Sequence, residues 1–420
     1  MNFVVKLLSM TAVVGLTSFA VPAAASPSLD AADGYAVSQQ VTVAGGWRDG
    51  GRISVPRDGL IMDGSTSHVI VAVATTDSTP QHPGYISTIS RRTPDGNWIR
   101  QTSDIGSPVG VDVNADGDAV IISTSNVDGG DIVATRWPRG ADQPRSNVIL
   151  KAEDLPAPYT STQMFANGSG DVAVLVVPYD HGERATLLRK PSGQPWKPTL
   201  TIRPARYDGA LDSVDVTPTG AVVGAFTQDK TLSVRTLQPG SATFGPPAVV
   251  TTWAAIDGSE PYYADVRVGV NGDLATIWSY PENDYVTNFR HNIVPANGQP
   301  WHRDFQTTDQ IAIAAVGYDG SVVIRDGIST RRWDRESRSL TGHQTSFFKD
   351  DNVRGDVLIG GGIYKGLLRL WPVGQPRGPE VDSPRGDQRA VVLTGDHLVY
   401  VATLREGTTP DEYRLSIRQF

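Results

Sequence analysis

One short pattern recurs along the chain and limits the folds open to it: an apolar strand, a tight turn with Gly near its end, and a second strand rich in Val, Ile and Ala. It reads VDVNADGDAVIIS from Val111, MFANGSGDVAVLVV from Met164, VDVTPTGAVVGAF from Val214 and VRVGVNGDLATIW from Val266. It continues as AAVGYDGSVVIRD from Ala314, DNVRGDVLIGGG from Asp351 and VVLTGDHLVYVA from Val391. An earlier copy, GLIMDGSTSHVIVAVAT from Gly59, has a longer connection and brings the count to eight hairpins.

With Gly117, Gly170, Gly220, Gly272, Gly320, Gly355 and Gly395 as markers, the spacings are 53, 50, 52, 48, 35 and 40 residues. A third strand follows each hairpin and carries an Arg near its end: Arg91, Arg136, Arg189, Arg235, Arg290, Arg332, Arg369 and Arg418. Then comes a turn, often with Gly before an aromatic, as at Trp98, Trp196, Trp301 and Phe244, and a short fourth strand. Repeats of this length with several strands each predict an all-β fold, a single β-propeller of four-stranded antiparallel blades. Eight blades are favoured; the short units between 320 and 395 leave seven as the alternative. Helical periodicity is absent after the first 25 residues, where Gly or Pro interrupts every candidate window.

The pattern V-x-V-x-x-x-G-x-A-V-x-x, then a strand ending in Arg, then Pro and Gly before Trp, resembles the repeat of secreted bacterial β-propeller proteins of unassigned function. The resemblance covers about residues 59 to 420 and implies a fold without an activity, because propellers host binding, scaffolding and catalysis alike.

Residues 1–25 read as a secretory signal peptide, with Lys6, an apolar run from Leu7 to Val21 and small residues before Ser26. The expected divisions are 1–25 signal, 26–58 an N-terminal segment and 59–420 the propeller. The last unit stops at Phe420 after its third strand, and strand-like stretches 36–43 and 51–55 precede the first. An open blade edge would expose a row of backbone donors and acceptors, so the N-terminal segment is expected to supply the missing strand and close the ring. After Ser26 no apolar run approaches the length of a membrane span, and the expected location is extracellular.

Loss of the signal removes one Lys and no acid, leaving the net charge of −8 one unit more negative. That balance argues against nucleic acid and anionic membrane as partners. With no Cys, disulfides, thiolate metal sites and a Cys nucleophile are excluded.

Asp112, Asn114, Asp116 and Gly117 occupy positions 1, 3, 5 and 6 of an acid-rich calcium loop, with Asp118 next, and the stretch resembles the loops of integrin-type propeller blades. The closing ligand is missing, since Val120 and Ser123 stand where acids are required, and the sister hairpins carry TPTG, GVNG and GYDG. The same letters suit a two-residue hairpin turn, which is the favoured reading; no cofactor is expected, with calcium at Asp112, Asn114, Asp116 and Asp118 as the alternative.

No nucleophile elbow, zinc helix or phosphate-binding Gly-Lys loop appears, and the seven His lie in different units without ligand spacing. Asp95-Gly96-Asn97-Trp98 is similar to the Asp box of sialidase-type propellers but lacks its leading Ser and spacing. The repeated Arg residues are read as joining neighbouring blades, and Trp137, Trp196, Trp278, Trp301, Trp333 and Trp371 as packing between them.

In a propeller the connections between strands two and three, and from strand four to the next blade, emerge on one face. Ten of the thirteen Tyr fall in these segments, with acids beside them. Tyr179, Asp180, Glu183, Tyr207, Asp208, Tyr262, Tyr280, Glu282, Asp284 and Tyr285 are the candidate ligand-binding residues. Flat rings with one hydroxyl, beside carboxylates, suit a polar ligand. The expected function is a non-catalytic module that binds an extracellular glycan or protein. The alternatives are a carbohydrate-active hydrolase or lyase, pairing Asp180 or Glu183 with Glu282 or Asp284, and a cell-envelope scaffold.

Overall fold

A computed structural model describes the strands from Arg48 to Gln419 and most of their connections between Arg91 and Thr252. Connections 77–85, 126–129, 156–159, 179–184, 204–209 and 253–262, most of those after Pro281, and residues 1–47 lie outside the described residues. The expected signal peptide is therefore outside them.

All described residues but one short 3-10 turn are strand, turn or extended chain, and the strands form eight four-stranded antiparallel sheets. The first sheet holds β2 (Asp58–Gly64), β3 (Ile70–Thr76), β4 (Ile86–Arg92) and β5 (Trp98–Ser103). The second holds β6 (Ser107–Val113), β7 (Ala119–Thr124), β8 (Ile132–Trp137) and β9 (Arg145–Leu150). The third runs β10 (Thr160–Ala166), β11 (Val172–Pro178), β12 (Ala185–Lys190) and β13 (Leu200–Ile202). The fourth runs β14 (Ala210–Val216), β15 (Val222–Gln228), β16 (Thr231–Leu237) and β17 (Ala248–Thr252). The fifth begins with β18 (Tyr263–Val268) and β19 (Leu274–Pro281), then β20 (Thr287–Val294) and β21 (Trp301–Thr307).

Strands β22 to β25 span 311–345 and β26 to β29 span 352–382. The eighth sheet holds β30 (Asp387–Leu393), β31 (Leu398–Leu404) and β32 (Glu412–Gln419), and its fourth strand is β1 (Arg48–Ser54), paired antiparallel to β32. The first strands lie against one another in sequence, from β2 and β6 through to β26 and β30, and β30 lies against β2.

The second strands explain why the sheets stack. A strand sends alternate side chains to opposite faces, so a continuous apolar run serves two cores at once. In β7, Ala119 and Ile121 pack with Val71, Val73 and Ile89 of the first sheet, while Val120 and Ile122 pack with Val174, Val176 and Leu188 of the third. In β11, Ala173 and Leu175 turn the other way, to Leu211, Val222 and Phe226 of the fourth. Leu60, Ile70 and Ala72 share a core with Val392, Tyr400 and Leu415 of the eighth sheet. Trp137 is fully buried between the first and second sheets, and Trp196 packs between the second and third, as the sequence reading placed them. The side chains of Trp278, Trp301, Trp333 and Trp371 lie outside the described residues.

Candidate functional site

The acid-rich hairpin is a turn in which Asn114 and Asp118 spend side-chain oxygens on backbone N–H groups. Asn114 N–H donates to Asp118 O at 3.0 Å and Gly117 N–H to Asn114 O at 2.8 Å. Gly117 sits at φ 88°. Three residues thus lie in the loop with Gly in the left-handed region, a correction to the two-residue turn expected from sequence. The same pair of bonds closes the turns at Thr217–Ala221 and Gly269–Asp273. The first residue's side chain caps the fifth residue's N–H: Asn114 Oδ1 to Asp118 at 2.9 Å, Asn167 Oδ1 to Asp171 at 3.1 Å, Thr217 Oγ1 to Ala221 at 3.0 Å. Gly at the fourth position meets a second demand. A Cβ on Gly117 would lie 2.8 Å from Val69 Cγ2, in the preceding sheet.

The four calcium candidates can now be placed. Asp112 is buried at the position held by Asp63 and Asp215 in their sheets, and those two each accept a backbone N–H from the next sheet, Val113 and Val268, at 2.7 Å. Asn114 spends its oxygen on Asp118. Asp118 Oδ1 accepts the Arg139 N–H at 2.7 Å, as Asp171 Oδ1 accepts that of Ser192. Asp116 is exposed at the tip. No cluster of three or more His, Cys, Asp or Glu with metal-holding geometry occurs among the described residues.

Arg residues at the end of the third strand join sheets, but not all of them. Buried Arg91 donates through Nη2 to Gly117 O at 3.0 Å and through Nη1 to Pro138 O at 2.5 Å, with its guanidinium 5.6 Å from the centre of the Trp137 ring. Arg189 reaches Ser241 O of the fourth sheet at 3.0 Å. Arg136 has the same register yet is exposed. Arg235 is one residue out of register, opposite Gly224 rather than Val223, so it faces the other way and bonds Gly245 O near its own sheet. The expectation that every such Arg pairs blades is corrected at Arg136, and at Arg235 the side chain starts from the opposite face.

The opposite face is the one the sequence nominated. Asp131, ending the β7–β8 connection, accepts the N–H of Ala152 from the β9–β10 connection at 2.8 Å, so these two connections do emerge together. Of the ten candidate rim residues, Tyr280 lies near the end of β19, and the other nine fall outside the described residues.

Sequence reading missed two features of β14 and β18. Asp212 is the extra residue of a β-bulge between Leu211 and Ser213, at the end of β14 nearest the 204–209 connection. It accepts Thr227 Oγ1 at 2.6 Å, and burial pushes its carboxyl up to about 7. Further along, buried Asp265 pairs with Arg267 at 2.9 Å and accepts Ser213 Oγ at 2.7 Å. The Arg267 guanidinium lies 5.0 Å from the Phe165 ring centre. Asp215, pushed up to about 6 by burial, completes this polar seam through Val268. A bulge residue betrays itself in sequence only as a one-residue break in apolar alternation, which LDSV at 211–214 contains.

No helix among the described residues is long and apolar enough to cross a membrane. No family model matches the chain, and no curated protein matches it. Among solved structures it is similar to the Dos1 propeller, with a TM-score of 0.52 at 11% identity over 88% of this chain and 94% of that one. The β-propeller domain of Myceliophteria thermophila Cps50 (Swd1) matches at 10% identity and a TM-score of 0.39, over 86% of this chain and 99% of that one. The polysaccharide lyase Uly1 matches at 10% identity and a TM-score of 0.44, over 83% and 88%. At such identities the likeness carries the fold and nothing of activity or ligand, and with the four-stranded antiparallel sheets it makes this chain a β-propeller.

Proposed function

We propose that this chain is a secreted, non-catalytic propeller module of eight blades in one ring, closed by β1, that binds an extracellular glycan or protein on the face bearing the 179–184, 204–209, 253–262 and 282–286 connections. The ring reading is supported by the pairing of β1 with β32 and the contact of β30 with β2. The observation that carries the choice of face is the use of polar groups on the other one. There Arg91, Asp118, Asp171 and Asn167 are bonded to neighbouring turns or sheets, which commits these four side chains within the fold. By sequence, the Tyr and acid residues fall in the connections at the other ends of the strands.

The test is binding of residues 26–420 to a broad glycan array with and without calcium. A selective hit lost on Tyr179→Ala or Tyr280→Ala supports the rim. Calcium dependence would restore a metal role for Asp112, Asn114, Asp116 and Asp118, and no binding in either condition would remove the glycan reading in favour of a protein partner.

A second reading, a carbohydrate-active hydrolase or lyase, is favoured by Asp212. A carboxyl that titrates near neutrality can hold or give up a proton at physiological pH, as a general acid or base must. Turnover of any polysaccharide that is abolished in Asp212→Asn would establish it.

A further inference from the structure

We infer that the two outer strands of the second sheet form a docking patch for an acidic polysaccharide, whose carboxylate or sulfate groups are held by Arg136, Arg139 and Arg145. The β8–β9 register sets Arg136 directly opposite Arg145, and both are exposed. Arg139 is exposed in the turn between them. Like charges directly opposite in an antiparallel pair are destabilising, so most sheets avoid them. At the matching strand pair of other sheets, Arg290 faces Asp304 and Arg369 faces Glu380. Where Arg52 faces Arg414 in the eighth sheet, Asp49 lies 3.7 Å from Arg414. Among the described residues the side chains of Arg136, Arg139 and Arg145 make no ion pair. Asp112, Asp118, Asp142 and Asp171 are the nearby acids; Asp118 is committed to the Arg139 N–H and Asp171 to that of Ser192, Asp112 is buried, and Asp142 stands exposed in the same turn as Arg139.

The patch has a structural origin. Position 190 of the third sheet corresponds to Trp137 of the second, since each is paired with the first residue of its sheet's second strand. Trp137 gives Arg91 a ring to lie against, whereas buried Lys190 offers Arg136 a like charge. Arg136 is thereby kept out of the seam and available to solvent.

The chemistry of the patch narrows the occupant. All three exposed cations are Arg, whose planar fork matches carboxylate, sulfate and phosphate oxygens in pairs. The chain as a whole carries −8, so a broad anionic surface such as a bilayer would also face the acidic remainder. A thin chain with spaced anionic groups meets the three guanidiniums alone. Among the described residues the only large apolar side chain exposed nearby is Val148, too little to anchor in lipid. The extracellular setting proposed above is where such chains are met, but these residues are separate from the rim, and either site can fail without the other.

The test measures binding of the full mature chain to dextran sulfate, polygalacturonate, neutral dextran, poly-glutamate and phosphatidylglycerol vesicles at about 50 and about 300 mM salt. The expected result is salt-sensitive binding to an acidic polysaccharide that falls at least about tenfold in R136S/R139S/R145S, with a melting temperature no lower than that of the wild type. Arg136→Lys with Arg145→Lys should keep part of the binding, and Arg100→Ala on the first sheet's outer strand should keep all of it. Equal binding by wild type and triple variant, equal binding to neutral dextran, or preference for poly-glutamate or vesicles would each overturn the assignment.

Discussion

The seam between the first and second sheets and the seam between the second and third use the same repeat letters for opposite ends. In the first, Arg91 is 1% exposed, lies against Trp137, and ties two turns of the next sheet together through one guanidinium. In the second, Arg136 occupies the same register and stands in solvent. What replaces it is a backbone bond between hairpins, Ala115 N–H to Gly168 O at 3.0 Å, with Lys190 where the indole would be. The repeat fixes where a side chain starts. The residue facing it from the next sheet fixes where it ends.

Breaking the first seam should have the largest effect. Arg91→Ala strips the donors from Gly117 O and Pro138 O and leaves a void beside Trp137, a loss of about 1 to 3 kcal/mol for carbonyls left unsatisfied. Denaturant melts of the full chain would read it as a lower midpoint. Arg91→Lys should recover only part, because an ammonium cannot reach both carbonyls at once. A loss below about 1 kcal/mol in Arg91→Ala would mean that the apolar core alone holds the seam.

The second seam is probed at Lys190. Its pKa is lowered, chiefly by burial and then by Arg136, against the pull of Asp171, Asp112 and Asp118. A base whose folded pKa lies below its unfolded value binds fewer protons when folded, so its contribution to stability rises as pH climbs from the folded pKa toward 10.5. Wild type should therefore gain stability over that window relative to Lys190→Met, in which the gain is absent. Parallel pH profiles for the two proteins would show instead that the ammonium is as comfortable in the fold as in water.

Much of this architecture was legible beforehand, for stated reasons. The markers Gly117, Gly170 and Gly220 could be read because each meets two demands at once, a left-handed backbone and close approach of the preceding sheet. The double-faced strands could be read because VAVLVV has no polar position to hide. The roles of the Arg residues could not, since alternation makes a one-residue offset a change of face, and Arg235 differs from Arg189 by just that. Nor could the caps made by Asn114 and Asp118 be read from spacing, because an oxygen that caps a backbone N–H and one that binds calcium are written with the same letters. Asp212 was invisible because its character comes from a bulge and from burial. The rim residues are set by the connections that vary most between units, so the repeat says where they emerge and not what they hold.

The smallest expected effect sharpens the comparison most. If Arg136 is spare in the seam, Arg136→Ala should change stability by no more than about 0.5 kcal/mol, and upward, since it relieves the pair with Arg145. Arg145→Ala should do the same, and the double variant should gain no more than either single one, because one substitution already removes the repulsion. That non-additivity, a few tenths of a kcal/mol in a double-mutant cycle, distinguishes a true like-charge pair from two arginines pointing apart. Strict additivity would place their guanidiniums too far apart to share one anionic group and would weaken the docking patch even before a ligand is tried. A clear loss of stability in Arg136→Ala would instead return Arg136 to the seam and make the two interfaces alike.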